Sequence, residues 1–487
     1  MDAPRHAAKP LHKVIRDPVH NLITLTGAEG RLILDLIGCP EFQRLRRIRQ
    51  LGLGFLTYPG GEHSRWAHSL GVCHLAGRML DSLLKQYRKG SKEHRALAGL
   101  RLEIIAAALL HDVGHGPFSH VFERAIPIPK KPPRNYPKDH EGWSEKIIRE
   151  RFARVLRKHK VRVDVVTGLI DKADPRHLLA KDFISSQLDA DRMDFLLRDS
   201  QATGPKYGEF DVEWLLHAMR IGSVKMKGQT KPVLRLCFDG DKAVHVVEEY
   251  IQAREFMYVQ VYTHKTTRAY EAMLKNILGL ASLIADGNTR RVPQPCPPAL
   301  AKMLARKSAE TDDYLSLDDF RLWCTFLDWA QLKPRRDKRF ARLSALCDRL
   351  VHRRRPYRVI EIDVRHDEGR KQLKRAIELQ KDIENSIEHY SLNLDSFEDL
   401  AYRNLFYRKS SDTEEQEDRV IQLIDARGKT HPAESLSDVI RAISGIETRV
   451  HRLYYDETDR KIVDRLRNDG WIKRKMGSRN RRKERAR

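Results

Sequence analysis

The stretch from Leu109 to His120, LLHDVGHGPFSH, constrains this chain more than any other. Leu102 to Leu110 before it is almost continuously apolar and rich in alanine, which favours a buried helix. His111, Asp112, His115 and His120 follow at once. Burying three imidazoles and a carboxylate is costly unless something satisfies them. The spacing i, i+4 places His111 and His115 on one face of that helix, with Asp112 about a quarter-turn away. Gly114, Gly116 and Pro117 then break the helix and open a turn. The design expected is a rigid helix that delivers ligands at its C-terminal edge and a loop that returns His120 to the same place. Neutral imidazole with carboxylate suits Zn, Fe, Mn or Ni better than Ca, so a divalent metal is expected. A hydrogen-bonded core pair would account for one His and one Asp, but not for four such groups behind one apolar helix.

Two further stretches carry clustered polar groups. In HSRWAHSLGV, Arg65 and His68 stand at i, i+3 at a helix start, so both can face one site. In QLDADRMDFLLRDS, Asp189, Asp191, Asp194 and Asp199 lie among Arg192 and Arg198. A solvated face with local ion pairs would read this way too. Leu188, Phe195, Leu196 and Leu197 indicate instead that the helix is largely buried.

These motifs, in this order from about Lys13 to Lys265, resemble the HD-domain phosphohydrolase superfamily. Within it they resemble the deoxynucleoside triphosphate triphosphohydrolases: the vertebrate enzymes that carry a sterile-alpha-motif domain, and bacterial relatives. No such extra domain is expected here. The resemblance implies hydrolysis of a dNTP to deoxynucleoside and triphosphate at one divalent metal (Mn, Fe, Zn or Mg), a second Mg travelling with the triphosphate. It makes His68, His111, Asp112 and Asp191 the metal ligands, a set that leaves positions open for water and a phosphate oxygen. It makes His115 the phosphate-side histidine and His120 the proton-transfer histidine, with Glu123, His140 and Glu141 orienting it. Gln50 and Leu51 match residues lining the deoxyribose, and Asp199 the carboxylate facing the 3′-hydroxyl. Tyr262 matches an aromatic that closes the place of a 2′-hydroxyl. Arg65, Arg192, Arg254 and Lys265 match triphosphate contacts, and Tyr258 stands where the vertebrate enzymes have His. Those enzymes are activated by guanine nucleotides at a site whose Gln and Arg match Gln43 and Arg46. Its acidic residue falls at Gly38 and an Asn at Arg16. A glycine offers a guanine edge no side-chain acceptor, so guanine-specific activation is not expected. The resemblance also implies a homo-oligomer, dimer or tetramer.

Charge adds a second reading. The 487 residues carry a net charge of +24, of which the stretch from Trp471 to Arg487 supplies eight. The rest is spread over the body, and basic surfaces attract polyanions. A metal-dependent nuclease or phosphodiesterase, or a nucleotide-sensing nucleic-acid binder, is therefore the alternative. The six cysteines form no C-x-x-C, which argues against a thiolate zinc site and a disulfide scaffold. No run of eighteen apolar residues occurs and the N-terminus has no apolar signal, so no membrane partner and a cytoplasmic location are expected.

The length calls for more than one core. The fold class expected is mainly α, an HD-domain helical core with a smaller α+β C-terminal lobe. Residues 1–12 read as a flexible N-terminus, 13–353 as the HD phosphohydrolase domain, 354–470 as the lobe and 471–487 as a basic disordered tail. Lys13 to Leu25 reads as a hairpin, and Arg31 to Ile37, Trp66 to Leu84, His140 to Lys158 and Phe183 to Ser200 as helices. Val233 to Val247 reads as a hairpin around Asp239-Gly240-Asp241, followed by a long helical region from Glu248 to Ile284. Tyr357 to Val364 and Arg419 to Ile424 read as strands, and Lys371 to Ile387 as a helix.

Overall fold

The computed structural model describes residues 11–171, 174–225, 231–333, 337–383, 387–395, 420–443 and 450–472. Most of the N-terminal segment and the basic stretch from Lys473 lie outside them. A hairpin opens the fold, β1 (His12–Asp17) paired antiparallel with β2 (Asn21–Thr26). Ile23 and Leu25 point inward while Leu22 and Thr24 are exposed, the alternation of a strand lying on a body. Next come α1 (Gly27–Ile37), α2 (Arg65–Gln86) and α3 (Arg101–Leu110). Every residue of α3 from Glu103 to Leu110 is buried, as its composition predicts. The segments α4 (His120–Ala125) and α5 (His140–Ile147) follow, and α5 continues through a π-turn at Ile148–Phe152 into Ala153–Lys158. Then α6 (Ala190–Thr203) packs on α2, which also packs on α3, so the three segments that carry or adjoin the expected ligands meet in the main core.

Four expectations are corrected. The key helix ends at Leu110, so His111 is its C-cap and His115 lies in the turn beyond rather than on a helical face. The glycines and proline that follow cannot prolong it. The helix expected from Phe183 starts at Ala190, because Asp189 is extended and its carboxylate accepts from the backbone N–H of Arg192 (2.8 Å) and Ser186 (2.7 Å). Asp239 turns no hairpin. It caps a helix, α7 (Gly240–Met257), and the partner of β4 (Val233–Asp239) is the upstream β3 (Met219–Val224). The long helical region is likewise broken at Thr263–His264, between a π-turn at Tyr258–Tyr262 and α8 (Lys265–Ala285).

Beyond α9 (Asp319–Ala330) and α10 (Lys338–Val351), β5 (Arg358–Asp363), α11 (Asp367–Asp382), β6 (Leu392–Asp395), β9 (Val450–Tyr455) and α12 (Arg460–Asn468) surround a second core of Ile362, Leu379, Leu453 and Ile462. Its sheet order is β5-β9-β6. Asp456, fully buried, accepts from Arg342 and Arg349 of α10 at 2.7 Å each and ties this lobe to the body. The strand expected at Arg419–Ile424 is β7 (Gln422–Ile424), which runs parallel to β4 in the body sheet and pairs with β8 (Thr430–Pro432). The protein is mainly α with a smaller α+β C-terminal part. Among the described residues no helix is long and apolar enough to cross a membrane.

Candidate active site

Two histidine clusters meet at the end of α3. In the first, His68 of α2 and His111 stand with ring centroids 5.3 Å apart. The His111 Nδ1–H donates to the Ala108 carbonyl (2.9 Å), and the His68 Nδ1–H donates to the Asp194 carboxylate (2.8 Å). Carbonyl and carboxylate oxygens only accept, so each ring turns its Nε2 to the other side, where a lone pair is free when the ring is neutral. Both Nε2 atoms are buried without a hydrogen-bond partner. Asp191 Oδ1 lies 3.1 Å from His68 Nε2 and 3.6 Å from His111 Nε2, and Asp112 Oδ1 lies 3.3 Å from His111 Nε2.

Burial disfavours charge on His68, yet the carboxylates of Asp191 and Asp194 beside it outweigh burial and raise its pKa. His111 is raised the same way, by Asp112 and Asp191 against burial. Burial also opposes the charge of Asp112, but Arg65 and the neighbouring imidazoles hold it well below the usual carboxylate range. This environment favours added positive charge between two orphaned nitrogens and two carboxylates. A divalent cation fits it: His68, His111 and Asp112 bring ligand atoms within 4.8 Å of one another, and Asp191, 3.1 Å from His68 Nε2, would join them in holding it. The held Nδ1 atoms are what keeps such ligands oriented.

The second cluster is His115, His120 and His140. His115 Nε2 reaches Asp112 Oδ1 (3.3 Å), and its Nδ1 is buried and unpartnered. Glu123 accepts from His120 Nδ1 and from both Nδ1 and the backbone N–H of His140, each at 3.0 Å. The three rings offer nitrogens close together, but this is no second metal site. His115 and His140 are stacked, centroids 4.0 Å apart and planes 15° apart, and such planes cannot both contain one ion within bonding reach. The cluster suits proton handling. Loss of water around the His120 ring lowers its pKa despite Glu123, although 45% of the side chain stays exposed, whereas at His140 the bond to Glu123 outweighs burial and raises it. Two imidazoles on one carboxylate are thus pushed apart, one towards neutral and one towards charged. Glu141 adds negative charge beside His140.

Local structure fixes both clusters. Gly114 lets α5 approach: a Cβ there would lie 2.2 Å from the His140 carbonyl oxygen and from Ser144 N. Phe118 and Ser119 hold left-handed φ angles of 54° and 58°, a strained turn that starts α4 at His120. The Arg65 guanidinium bonds both Asp112 and the Ser119 hydroxyl, the latter at 2.8 Å. Arg44, fully buried, donates to the His115 carbonyl (2.9 Å), and Asp319 accepts from the Phe118 N–H (2.7 Å).

A third group lies along α6 and α7. Asp199 accepts from Tyr262 Oη and His63 Nε2, both at 2.7 Å, and the Phe195 ring meets Tyr262 edge-on. Burial and the Asp199 charge hold the Tyr262 hydroxyl well above its ordinary pKa. Tyr258 packs 4.8 Å from Tyr262 under the Arg254 guanidinium, which also donates to Gln187 Oε1 (2.6 Å). Arg192 pairs with Asp189 at 2.5 Å. Gln50 keeps a buried, unpartnered Oε1, Leu51 packs half-buried on the main core, and Lys265 is exposed in the first turn of α8. Arg46 stacks on Trp66 (3.6 Å) and donates to Gln43 (2.8 Å). His63, Asp194, Asp319 and Arg44 were given no role by the sequence. Of these only Asp194 carried a signal, one helical turn after Asp191.

The HD domain model matches residues 65–194, a span that opens at Arg65 and closes at Asp194. An uncharacterised protein of Bacillus subtilis, YwfO, is 35% identical over 453 residues, covering 91% of this chain and 92% of that protein. The chain belongs to the HD-domain phosphohydrolases. A solved phosphohydrolase from Bacteroides thetaiotaomicron shares the fold with a TM-score of 0.66 and 26% identity, covering 91% of this chain and 99% of that one. The mouse deoxynucleoside triphosphate triphosphohydrolase SAMHD1 is 28% identical over 295 residues, 54% of this chain and 43% of that protein. The HD-domain protein described here is a metal-dependent phosphohydrolase. When bound, the metal supplies Lewis acidity and an activated water. In this chain Arg65 keeps Asp112 charged beside the residues that would hold the metal, and the Glu123-bound imidazoles are placed where a proton could be handled.

Proposed function

We propose that the substrate is a deoxynucleoside triphosphate, cleaved to deoxynucleoside and triphosphate. One observation carries the reading. Asp191, Phe195 and Asp199 stand at i, i+4 and i+8 on α6, one stripe of one rigid element. The stripe begins at a metal ligand and ends, about 12 Å along the axis, at a carboxylate braced by Tyr262 and His63. A phosphate is handled at one end and a sugar hydroxyl at the other. Asp199 has two oxygens, each accepting one bond, so lone pairs remain for a 3′-hydroxyl. Tyr262 and Gln50 leave no room for a 2′-hydroxyl in this reading. The similarity to SAMHD1 points the same way.

The net charge of +24 keeps a nuclease as the second reading. Rates on dNTP, NTP, 2′,3′-dideoxy-NTP and a single-stranded oligonucleotide separate the two. The proposal expects dNTP to be fastest and the dideoxy analogue to lose roughly tenfold or more, since its hydrogen bond to a charged carboxylate is missing. Equal rates on dNTP and NTP, or faster cleavage of the oligonucleotide, would give the case to the nuclease.

A further inference from the structure

The metal ligand His68 is held through a relay that ends in the N-terminal hairpin, far from it in sequence. Asp194 accepts the His68 Nδ1–H on Oδ2 and the His20 Nε2–H on Oδ1, at 2.8 and 2.6 Å. Arg198 clamps the same carboxylate with two bonds, 2.9 Å to Oδ2 and 2.8 Å to Oδ1. Four donors are about what one carboxylate can accept, so Asp194 has no freedom to turn. Arg198 reaches on to Asp17, at 2.9 and 3.2 Å. Asp17 Oδ1 in turn accepts from the backbone N–H of Val19 and of His20, at 2.9 Å each. The turn that carries His20 is therefore built by the residue that Arg198 holds. The ring of contacts closes: Asp17, Arg198, Asp194, His20.

An independent observation shows that the body is cut to fit this relay. Gly71, three residues after His68 on α2, faces it, and a Cβ there would lie 1.9 Å from Asp194 Oδ1 and 2.4 Å from Arg198 Nη2. The helix that carries the ligand gives up a side chain to let Asp194 and Arg198 in. The His20 side chain is 5% exposed and packs on His74, with ring centroids 5.3 Å apart. It is a buried donor aimed at one acceptor, not a surface histidine.

We infer that His20, on the turn between β1 and β2, is a positioning residue for the metal centre, acting on His68 through Asp194. The hairpin is then part of the metal site although it supplies no ligand. This holds whichever phosphate ester is hydrolysed. Partners of this kind affect metal affinity by roughly 10- to 100-fold, and one step further out the lower figure is expected.

The test uses the full chain, stripped with chelator and titrated with Mn²⁺ alone by calorimetry. His20→Phe keeps the ring volume against His74 and removes the donor. His20→Gln keeps a donor to Asp194. Leu22→Ala alters the exposed side of the same hairpin. Mn²⁺ binding should weaken about tenfold in His20→Phe, recover to within about threefold of wild type in His20→Gln, and stay unchanged in Leu22→Ala. Thermal unfolding of the metal-free proteins reports how much each substitution costs the fold itself. Binding by His20→Phe within twofold of wild type overturns the inference. So does equal weakening in the Phe and Gln variants, which would make the role packing rather than hydrogen bonding.

Discussion

Replacing Asp319 by Ala tests whether the strained turn before His120 is held from outside. Asp319, at the start of α9, is fully buried and accepts two backbone N–H groups, Phe118 at 2.7 Å and Arg49 at 2.9 Å. Phe118 is fully buried, so its N–H would bear the whole cost of losing a partner, about 1–3 kcal/mol. Arg49 is half-buried, so its N–H would lose about 1 kcal/mol. Relief of a buried charge offsets part of this, because burial pushes the Asp319 carboxyl up from 3.8 to about 6. The balance is a loss of about 2–4 kcal/mol below that window, of which the rise from 3.8 to about 6 takes back about 3 kcal/mol by neutral pH. The pH dependence has a definite sign. The folded state holds the Asp319 proton more tightly than the unfolded chain, so wild type loses stability as pH rises from about 3.8 to about 6. The Ala variant lacks that loss, so the gap between the two narrows as pH rises through the window. Urea unfolding followed by tryptophan fluorescence at several pH values measures the gap. Turnover should fall roughly tenfold or more, as the turn relaxes and His120 shifts. A gap that widens with pH, or unimpaired turnover, would refute the reasoning.

Asp199→Ala should cost dNTP turnover roughly tenfold or more while narrowing the difference between dNTP and 2′,3′-dideoxy-NTP, measured as kcat/KM. Glu123→Gln removes the negative charge that holds His140 up against burial, so the basic limb of the pH profile of kcat/KM should move to lower pH; an unmoved limb would separate His140 from the chemistry. Deleting residues 473–487 should leave dNTP hydrolysis nearly unchanged and make nucleic-acid binding weaker and less salt-dependent, the log–log slope on duplex DNA falling by roughly 0.9 for each phosphate that the tail had neutralised. Unchanged binding would place any polyanion site on the body.

The residues proposed as ligands were legible because each sits in a short local pattern. His111 and Asp112 end an apolar helix, His68 opens one, and Asp191 lies in the first turn of another. What supports them was not legible, because it comes from far away in sequence. His20 is 174 residues from Asp194, His63 is 136 from Asp199, and Asp319 is 201 from Phe118. No period or spacing links such pairs. The misplaced boundaries have a local cause. Asp189 and Asp239 are both helix caps, and Asp followed by Gly or Ala reads equally as a turn, a cap or a helix interior until the partner N–H is known. The strand β7 was visible, but its parallel partner β4 was not, since parallel pairing leaves no turn to read.

Phosphorus NMR of the products from one dNTP, with the Mn²⁺-loaded wild type and with His111→Ala and Asp112→Ala, tests the central claim most directly. The account predicts inorganic triphosphate as the phosphorus product of wild type. It predicts no product from either variant, together with loss of bound metal by elemental analysis. Orthophosphate or pyrophosphate in place of triphosphate, or full metal occupancy and turnover in the variants, would contradict it.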